Sequence, residues 1–536
     1  MTTTTDVLVI GAGPTGLTMA NILLRYGIRV RILDKKAGIT EESRALVVHA
    51  KTLELLGKLG LAQQAIEEGY TLDTIGLLRN GKNAGAFTFL TDNKAGRTPY
   101  PFALMYGQNQ TEQLLEQSLV ESGGEIEWGA VLLDLTQTDS GVRATIQRSD
   151  GTEEIIEAGW IVGADGAHSP VRHALSLGFE GETYDQTLFL ADVDLEWNLR
   201  YGQAYMDLTP TGFFAFFPMD GHQRYRLVGD LPSALAQKEV LTHDDVQSVL
   251  DAASGLQMKI VKTRWASVYR THHRMTEHFR VGRVFLVGDA AHIHSPAGGQ
   301  GMNTGIGDAY NLAWKLALVV RGAAHDTLLD SYEAERIPFA RSILHGSDWG
   351  FQFQSTKNLV AQQFKLRAIP LIFSLLSHQP VLKRRAFWLL SQLWTTYRGS
   401  PAVAESGSQK KGPHAGDRAP YGFFEAGPDA GTSLFSKLEN LDHHLLLFWG
   451  RGPQSEQQEM QVQSLLHAYK LPIHLHTIAS ENKSLHEIYD VNEPGLFLIR
   501  PDGHIAYRSS LENIAGLRSY LDSLFESQPS EMRLSK

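Results

Sequence analysis

Gly11-Ala12-Gly13-Pro14-Thr15-Gly16 is a GxGxxG run placed directly after an apolar stretch, Asp6–Ile10, and ahead of residues with helical spacing, Leu17, Ala20, Leu23 and Leu24. Such glycines permit a tight turn, close approach of backbone to a pyrophosphate, and close packing of helix on strand. The helix start then offers free N–H groups and a partial positive charge to phosphate. Asp34 closes the next apolar run, Val30–Leu33, where a carboxylate can accept both hydroxyls of an adenosine ribose. An acid there suits a free 2′-hydroxyl, as in FAD or NAD, and repels a 2′-phosphate. The other reading is a glycine-rich turn with Asp34 as a solvated strand end.

Two further segments carry a carboxylate at the end of an apolar strand. Gly163-Ala164-Asp165-Gly166 follows Trp160–Val162 and runs on to Arg172. Gly288-Asp289-Ala290-Ala291-His292 follows Val284–Val287 and continues through Pro296 to Gly298-Gly299-Gln300-Gly301-Met302-Asn303. Ligands of open α/β sheets sit at such strand ends. Asp289 could accept from a polyol hydroxyl, and the glycine run lets backbone approach a flat ring system just before a helix. A helix start beside a flavin ring would stabilise the negative charge of its reduced form. Taken singly, either segment could be an ordinary strand-to-helix turn. His292 and His294 have the spacing of a metal pair but lack acidic or cysteine partners at suitable distances, so no metal is expected.

The elements that must position these residues begin with a β–turn–α–β unit ending near Leu33, with Gly27 closing its helix. Between about Thr183 and Phe279 the pattern turns alternating and aromatic, as in Phe213–Phe217 and Tyr225–Val228, which predicts a mostly antiparallel sheet. Asp308–Val320 reads as a helix, and 351–400 as amphipathic helices. Ala386–Tyr397 could be a helix touching a membrane or one packed on its own core. Glu405–Gly416 reads as a linker. His444–Trp449, Leu496–Ile499 and Ile505–Arg508 read as strands, the last two joined by a turn at Pro501-Asp502-Gly503.

Composition narrows the class. The chain has 536 residues, enough for three or four domains on length alone. Its net charge of −10 argues against tracking nucleic-acid phosphates. With no cysteine, disulfides, thiol catalysis and iron–sulfur clusters are excluded, and a reducing cytoplasm is expected. Neither a signal peptide nor a spanning helix is expected.

In their order along the chain the three motifs resemble those of the FAD-dependent aromatic hydroxylases of the para-hydroxybenzoate and phenol hydroxylase group, over essentially the whole sequence. The resemblance implies an α/β fold: a doubly wound GxGxxG FAD-binding domain with an inserted, mostly antiparallel β substrate domain and a C-terminal thioredoxin-like domain. The expected division is 1–182 for the first part of the FAD domain, with an excursion to the substrate domain near 76–102. The substrate sheet covers 183–280, the second part of the FAD domain 281–350, a helical connector 351–403, a linker 404–416, the thioredoxin-like domain 417–526, and a flexible tail 527–536.

By the same resemblance FAD is held by Gly11, Ala12, Gly13, Gly16, Asp34, Lys35, Arg44, Gln108, Asp165, Gly166, Arg172, Asp289, Pro296, Gly299, Gly301, Met302 and Asn303. For Arg44 a surface arginine, and for Gln108 a helix-capping amide, are the alternatives. Tyr205, Phe214, Phe216, Arg226, Tyr269 and Pro296 are the expected substrate walls, with ordinary sheet packing the alternative. The activity implied is a monooxygenase consuming NADPH or NADH and O₂, which hydroxylates a phenolic or polycyclic ring through a C4a-hydroperoxyflavin. A single GxGxxG and the lack of a Trp-x-Trp-x-Ile-Pro segment set it apart from two-dinucleotide enzymes and flavin halogenases. Other readings are a FAD enzyme that epoxidises, inserts oxygen in Baeyer–Villiger fashion or oxidises without hydroxylation, and a non-catalytic flavin protein that sequesters a ligand. No general base stands out. The cysteine-free C-terminal domain implies a structural role, with a homodimer through it as one form.

Overall fold

The structure is a computed structural model. It describes residues 2–40, 45–89, 97–209, 212–220, 222–238, 240–253, 255–295, 297–354, 368–369, 371–373, 375, 379–407 and 411–529.

Thr2–Ile10, whose Val7–Ile10 end is fully apolar and buried, runs parallel to Val30–Asp34 on one side and to Glu153–Gly163 on the other. Val284–Leu286 adds in parallel beyond Glu153–Gly163, and Ile126–Trp128 beyond Val30–Asp34. Where these strands are buried on both faces, at Val7–Ile10, Trp160–Gly163 and Val284–Leu286, the residues do not alternate between polar and apolar. All three acid-bearing turns therefore leave the same edge of one parallel sheet.

The helix Pro14–Arg25 starts with proline at its first position and ends before Gly27, whose φ is +74°. It lies against a 20-residue helix, Gly301–Val320. Periodicity placed that helix's start at Asp308. The glycines at 305 and 307 have poor helix propensity, yet a β-carbon on Gly305 would stand 2.3 Å from Thr15 Oγ1. Close contact between the two helices requires the residue that hides the helix from its sequence.

The second sheet is largely antiparallel. Its order is His292–Ile293, Met258–Met275, Glu180–Trp197, Arg224–Asp230, Phe213–Pro218, Ala204–Leu208, Thr74–Arg79 and Lys82–Thr88. Thus the hairpin 74–88 joins the strands of 180–275 through a parallel pairing with Ala204–Leu208. Helix His243–Ala253 covers one face, its Val246, Val249 and Leu250 packing among Trp197, Phe216 and Leu227.

The C-terminal sheet has the order Ala404–Ser406, Ile505–Ser510, Gly495–Ile499, His443–Phe448, Ile473–Ile478. The stretch read as a linker thus supplies an edge strand, Ala404–Ser406, parallel to Tyr507–Ser509. The tail is tied down at its start: Ser527 bridges to Tyr469, and Gln528 N–H donates to Ala468 O at 2.8 Å. The helix read at Ala386–Tyr397 is instead Pro380–Leu390, and Gln392 has φ +59°. Phe387 is buried against Phe89, while Trp388 and Leu389 on the same helix are exposed. Among the described residues no helix is long and apolar enough to cross a membrane.

Candidate active site

Gly11 has φ +105°, and a β-carbon there would lie 2.3 Å from the carbonyl oxygen of Ala164. Only glycine allows the first turn to touch the second. Gly13 differs: its missing β-carbon faces open space, with nothing within 4 Å. Helix Pro14–Arg25, which starts beside it, has no side-chain cap, which leaves N–H groups of its first turn for a ligand to meet. Asp34 is buried and accepts from Ala12 N–H at 2.7 Å and from Lys36 N–H at 2.8 Å. The acid thereby holds the glycine turn as well as marking the ribose end. Lys35 beside it is exposed.

In the second motif Asp165 Oδ2 accepts from Val171 N–H at 3.0 Å, and its Oδ1 is buried without a hydrogen-bond partner. Burial pushes its carboxyl above the usual range, against the pull of the Ser169 hydroxyl and the Val171 N–H. Gly166, at φ +81°, has open space at its β position. Arg172 turns inward. Its Nη1 donates to Ala290 O and its Nη2 to Ala167 O, both at 2.9 Å, and its guanidinium lies 3.9 Å from the Phe179 ring centroid.

In the third motif Asp289 is exposed between buried Gly288 and Ala290. Beneath it Asp308 is fully buried. One oxygen, Oδ2, accepts from Gly288 N–H at 3.0 Å and meets His292 Nε2 at 2.7 Å; the other accepts from Arg336 Nε at 2.6 Å. Burial raises this carboxyl, but Arg336 and His292 outweigh it and hold it below the ordinary value. His292 therefore braces the turn. No local signal marks that cluster, since Asp308 lies 16 residues from His292 and 28 from Arg336.

Asn303 laces the glycine run to the strand Val47–Val48. Its Nδ2 donates to Val47 O and Gly299 O, both at 2.8 Å, and its Oδ1 accepts from His49 N–H at 2.9 Å. His49, which the sequence reading missed, donates from Nε2 to Gly298 O at 3.0 Å; burial lowers its pKa to about 4 and keeps the ring neutral. A β-carbon on Gly299 would meet Val47 at 3.1 Å, and one on Gly301 would come to 3.8 Å of the His294 ring. Met302 is half-buried against the main core. Gln108 opens the helix Gln108–Glu121, and its side chain donates to Glu112 at 2.9 Å; the capping amide is that of Gln110, which accepts from Gly107 N–H. Arg44 and Pro296 lie outside the described residues.

The expected substrate walls divide by strand parity. Register pairs Phe216 with Tyr205 and with Leu227, and Phe214 with Gly229. Tyr205, Phe214 and Phe216 therefore share the face beneath helix His243–Ala253, inside the core with Trp197 and Tyr225. They are packing residues, and their assignment to the pocket is corrected. One residue along, Phe213, Ala215 and Phe217 take the opposite face with Met206, Leu208, Val228 and Tyr269. Alternation made two faces evident from sequence but could not say which one met the parallel-sheet domain.

Arg226 belongs to this second face, paired across from Phe217. Asp192 holds it through two bonds, of 2.7 and 2.9 Å, and Trp265 Nε1 donates to the same carboxylate. Its Nη1 donates to Ala45 O, which also accepts from Gln108 N–H. The arginine is thus a rivet between the sheet and the segment leading into Val47–Val48. The sheet face and the glycine run 298–303 enclose the strand between them, with Phe217 packed near Val47 and Leu46.

These features suit a dinucleotide carrying a flat ring. Open β positions at Gly13 and Gly166, an uncapped helix start, an unsatisfied Asp165 oxygen and an exposed Asp289 on a braced turn all face the same strand ends.

Comparison with known proteins agrees. The family described as FAD binding domain matches residues 4–347. The 6-methylpretetramide 4-monooxygenase of Streptomyces rimosus is 34% identical over 537 aligned residues, covering 97% of this chain and 93% of the relative. The pentachlorophenol 4-monooxygenase of Sphingobium chlorophenolicum is 37% identical over 345 residues, 64% of this chain and 63% of its own length. Among solved structures, the anhydrotetracycline hydroxylase OxyS from Streptomyces rimosus superposes with a TM-score of 0.75 at 29% identity, over 97% of this chain and 99% of its own.

Proposed function

We propose, from the premise that this chain belongs to the FAD binding domain family and is a FAD-dependent aromatic monooxygenase, that its substrate is a polycyclic phenol lying on the Phe213, Ala215, Phe217 face of the second sheet. The observation that carries this reading is that face itself. It is apolar over several strands and opposes the Gly298–Asn303 run across the strand Val47–Val48. A broad apolar wall suits a fused-ring ligand, and aromatic side chains supply contact area at low entropic cost. Relatives named for 6-methylpretetramide and anhydrotetracycline support the same substrate class.

The overall reaction balances as an aromatic C–H, O₂, NAD(P)H and a proton giving a phenol, water and NAD(P)⁺. Bound FAD supplies the electron transfer and oxygen activation. The phosphates would rest on the N–H groups at Gly13–Gly16, a ribose on Asp34, and the ribityl hydroxyls on Asp289. Asn303 and His49 hold the backbone that would line the ring, His49 as a neutral donor rather than a proton shuttle. The apolar sheet face excludes water from the reacting edge, which limits loss of activated oxygen as hydrogen peroxide.

A screen of phenols of one to four rings, reading NAD(P)H oxidation together with ¹⁸O incorporation into product, tests the proposal. Labelled product from three- or four-ring phenols at higher kcat/KM than from single rings is expected. Labelled product from single-ring phenols alone would overturn the polycyclic reading, and ligand-stimulated oxidation yielding only hydrogen peroxide would overturn hydroxylation of that class.

A further inference from the structure

Between the helix Ala50–Lys58 and the C-terminal unit lies a second cavity of about 260 Å³, away from the acid-bearing strand ends. Two lysines converge on it. Lys51 Nζ and Lys58 Cε would stand 3.7 and 4.0 Å from a β-carbon placed on Gly503. Lys51 is only 8% exposed, yet the acceptor it reaches is a single carbonyl, that of Asp502, at 3.0 Å. Lys58 reaches the carbonyl of Leu438. An ammonium group carries three donors, and a buried one requires an anionic neighbour.

The carboxylates lining the cavity are mostly committed elsewhere. Glu54 is held by Arg418 Nε at 2.8 Å and by the Thr98 hydroxyl at 2.7 Å. Asp502 is held by Arg500, whose remaining donors go to Glu335. Glu335 is shared with Lys315 Nζ at 2.8 Å, so Arg418, Arg500 and Lys315 are matched by Glu54, Asp502 and Glu335, and among the described residues Lys51 and Lys58 face one further carboxylate on the cavity wall, Glu439. One positive charge is left over. Burial accordingly draws both ammonium groups down to about 8. The remaining wall is apolar and aromatic: Leu55, Ala62, Tyr100, Phe435 and Leu438.

We propose that this cavity is a binding site for a small aromatic monoanion, its carboxylate between Lys51 and Lys58 and its ring against Tyr100 and Phe435. The volume falls just below the range usual for drug-sized ligands and suits a single ring. Because helix Ala50–Lys58 follows directly on His49, an occupant would bear on the segment that Asn303 holds, making this an effector site.

The test uses the FAD-loaded full chain, photolabelled with 4-azidobenzoate and digested for peptide mapping. Label is expected on peptides containing Tyr100 or Phe435, with benzoate suppressing it and benzyl alcohol failing to. Lys58→Met should cut that labelling at least tenfold at unchanged FAD content, and Lys58→Arg should retain most of it. Lys58 is half-buried, so its variants keep the test open if Lys51→Met fails to fold. No labelling, label confined to peptides of the sheet face around Phe213–Phe217, or labelling undiminished in Lys58→Met would each overturn the site.

Discussion

Arg172 Nη1 donates to the carbonyl oxygen of Ala290 at 2.9 Å, so the second acid-bearing turn is fastened to the third by one side chain. The same guanidinium satisfies Ala167 O within its own loop. Replacing it with Met keeps the stem but leaves two carbonyls without their donor, a cost of about 2–4 kcal/mol. Arg172→Met is expected to lower thermal stability and to weaken FAD retention roughly tenfold. Unchanged flavin content after gel filtration would refute the bracing role.

Asp289 separates binding from folding, because it is exposed on a turn whose neighbours are buried. Asp289→Ala is expected to lose charge-assisted bonds to the cofactor, roughly 1.5–3 kcal/mol and so about a 10- to 100-fold weaker FAD affinity. Melting of the apoprotein should barely move. Fluorescence titration of apoprotein with FAD measures the first, and a melting curve the second.

Asp308 should show the opposite pattern. It is buried beneath the same turn with Arg336, His292 and Gly288 N–H on its two oxygens. Asp308→Asn leaves Arg336 short of its counter-charge, and breaking a buried pair costs about 3–5 kcal/mol. Chemical denaturation of the apoprotein should reveal the loss before any flavin is added; an unaltered midpoint would count against the pairing.

The parity of the second sheet gives a paired test. Phe217→Ala is expected to raise KM for an aromatic substrate several-fold while the fold stays intact. Phe214→Ala, one side chain on the other face, should cost about 3–5 kcal/mol of stability with kcat/KM per folded enzyme little changed. The reverse assignment of effects would mean that the faces had been exchanged.

Acid should unfold the protein early. Burial lowers His49, His476 and His504 each to about 4, below the ordinary 6.5, so the unfolded chain binds more protons between those values. Stability from these neutral rings is present above pH 6.5 and is lost as pH falls toward 4, on the order of 3 kcal/mol for a ring as buried as His49. Glu335, held near 2 by Arg500 and Lys315 against its burial, acts in the same direction at lower pH. Denaturant midpoints measured from pH 7.5 to 4.5 should fall steadily, steepest below 6.5; a flat profile would contradict neutral burial.

The three glycine-and-acid turns were readable from the sequence because each is a local event. Apolar strand, tight turn and helix start occupy adjacent residues, and the chemistry of phosphate and ribose recognition depends on that adjacency. The apolar runs that carry them were legible for the same reason, and so was the hairpin turn at Pro501–Gly503. What the sequence left open depends on partners far apart in the chain. Alternation in Phe213–Phe217 announces two faces, and only the register with Ala204–Leu208 and the placement of helix His243–Ala253 decide which face is core. Arg172 carries a motif position, yet its contact with Ala290 lies 118 residues on; Arg500 and Glu335 are 165 apart. Sequence alone thus determined where a dinucleotide could be held, since short-range backbone geometry sets that. Tertiary structure decided which side chains face the substrate and which buried charges brace the site, because burial and charge pairing exist only once distant segments meet.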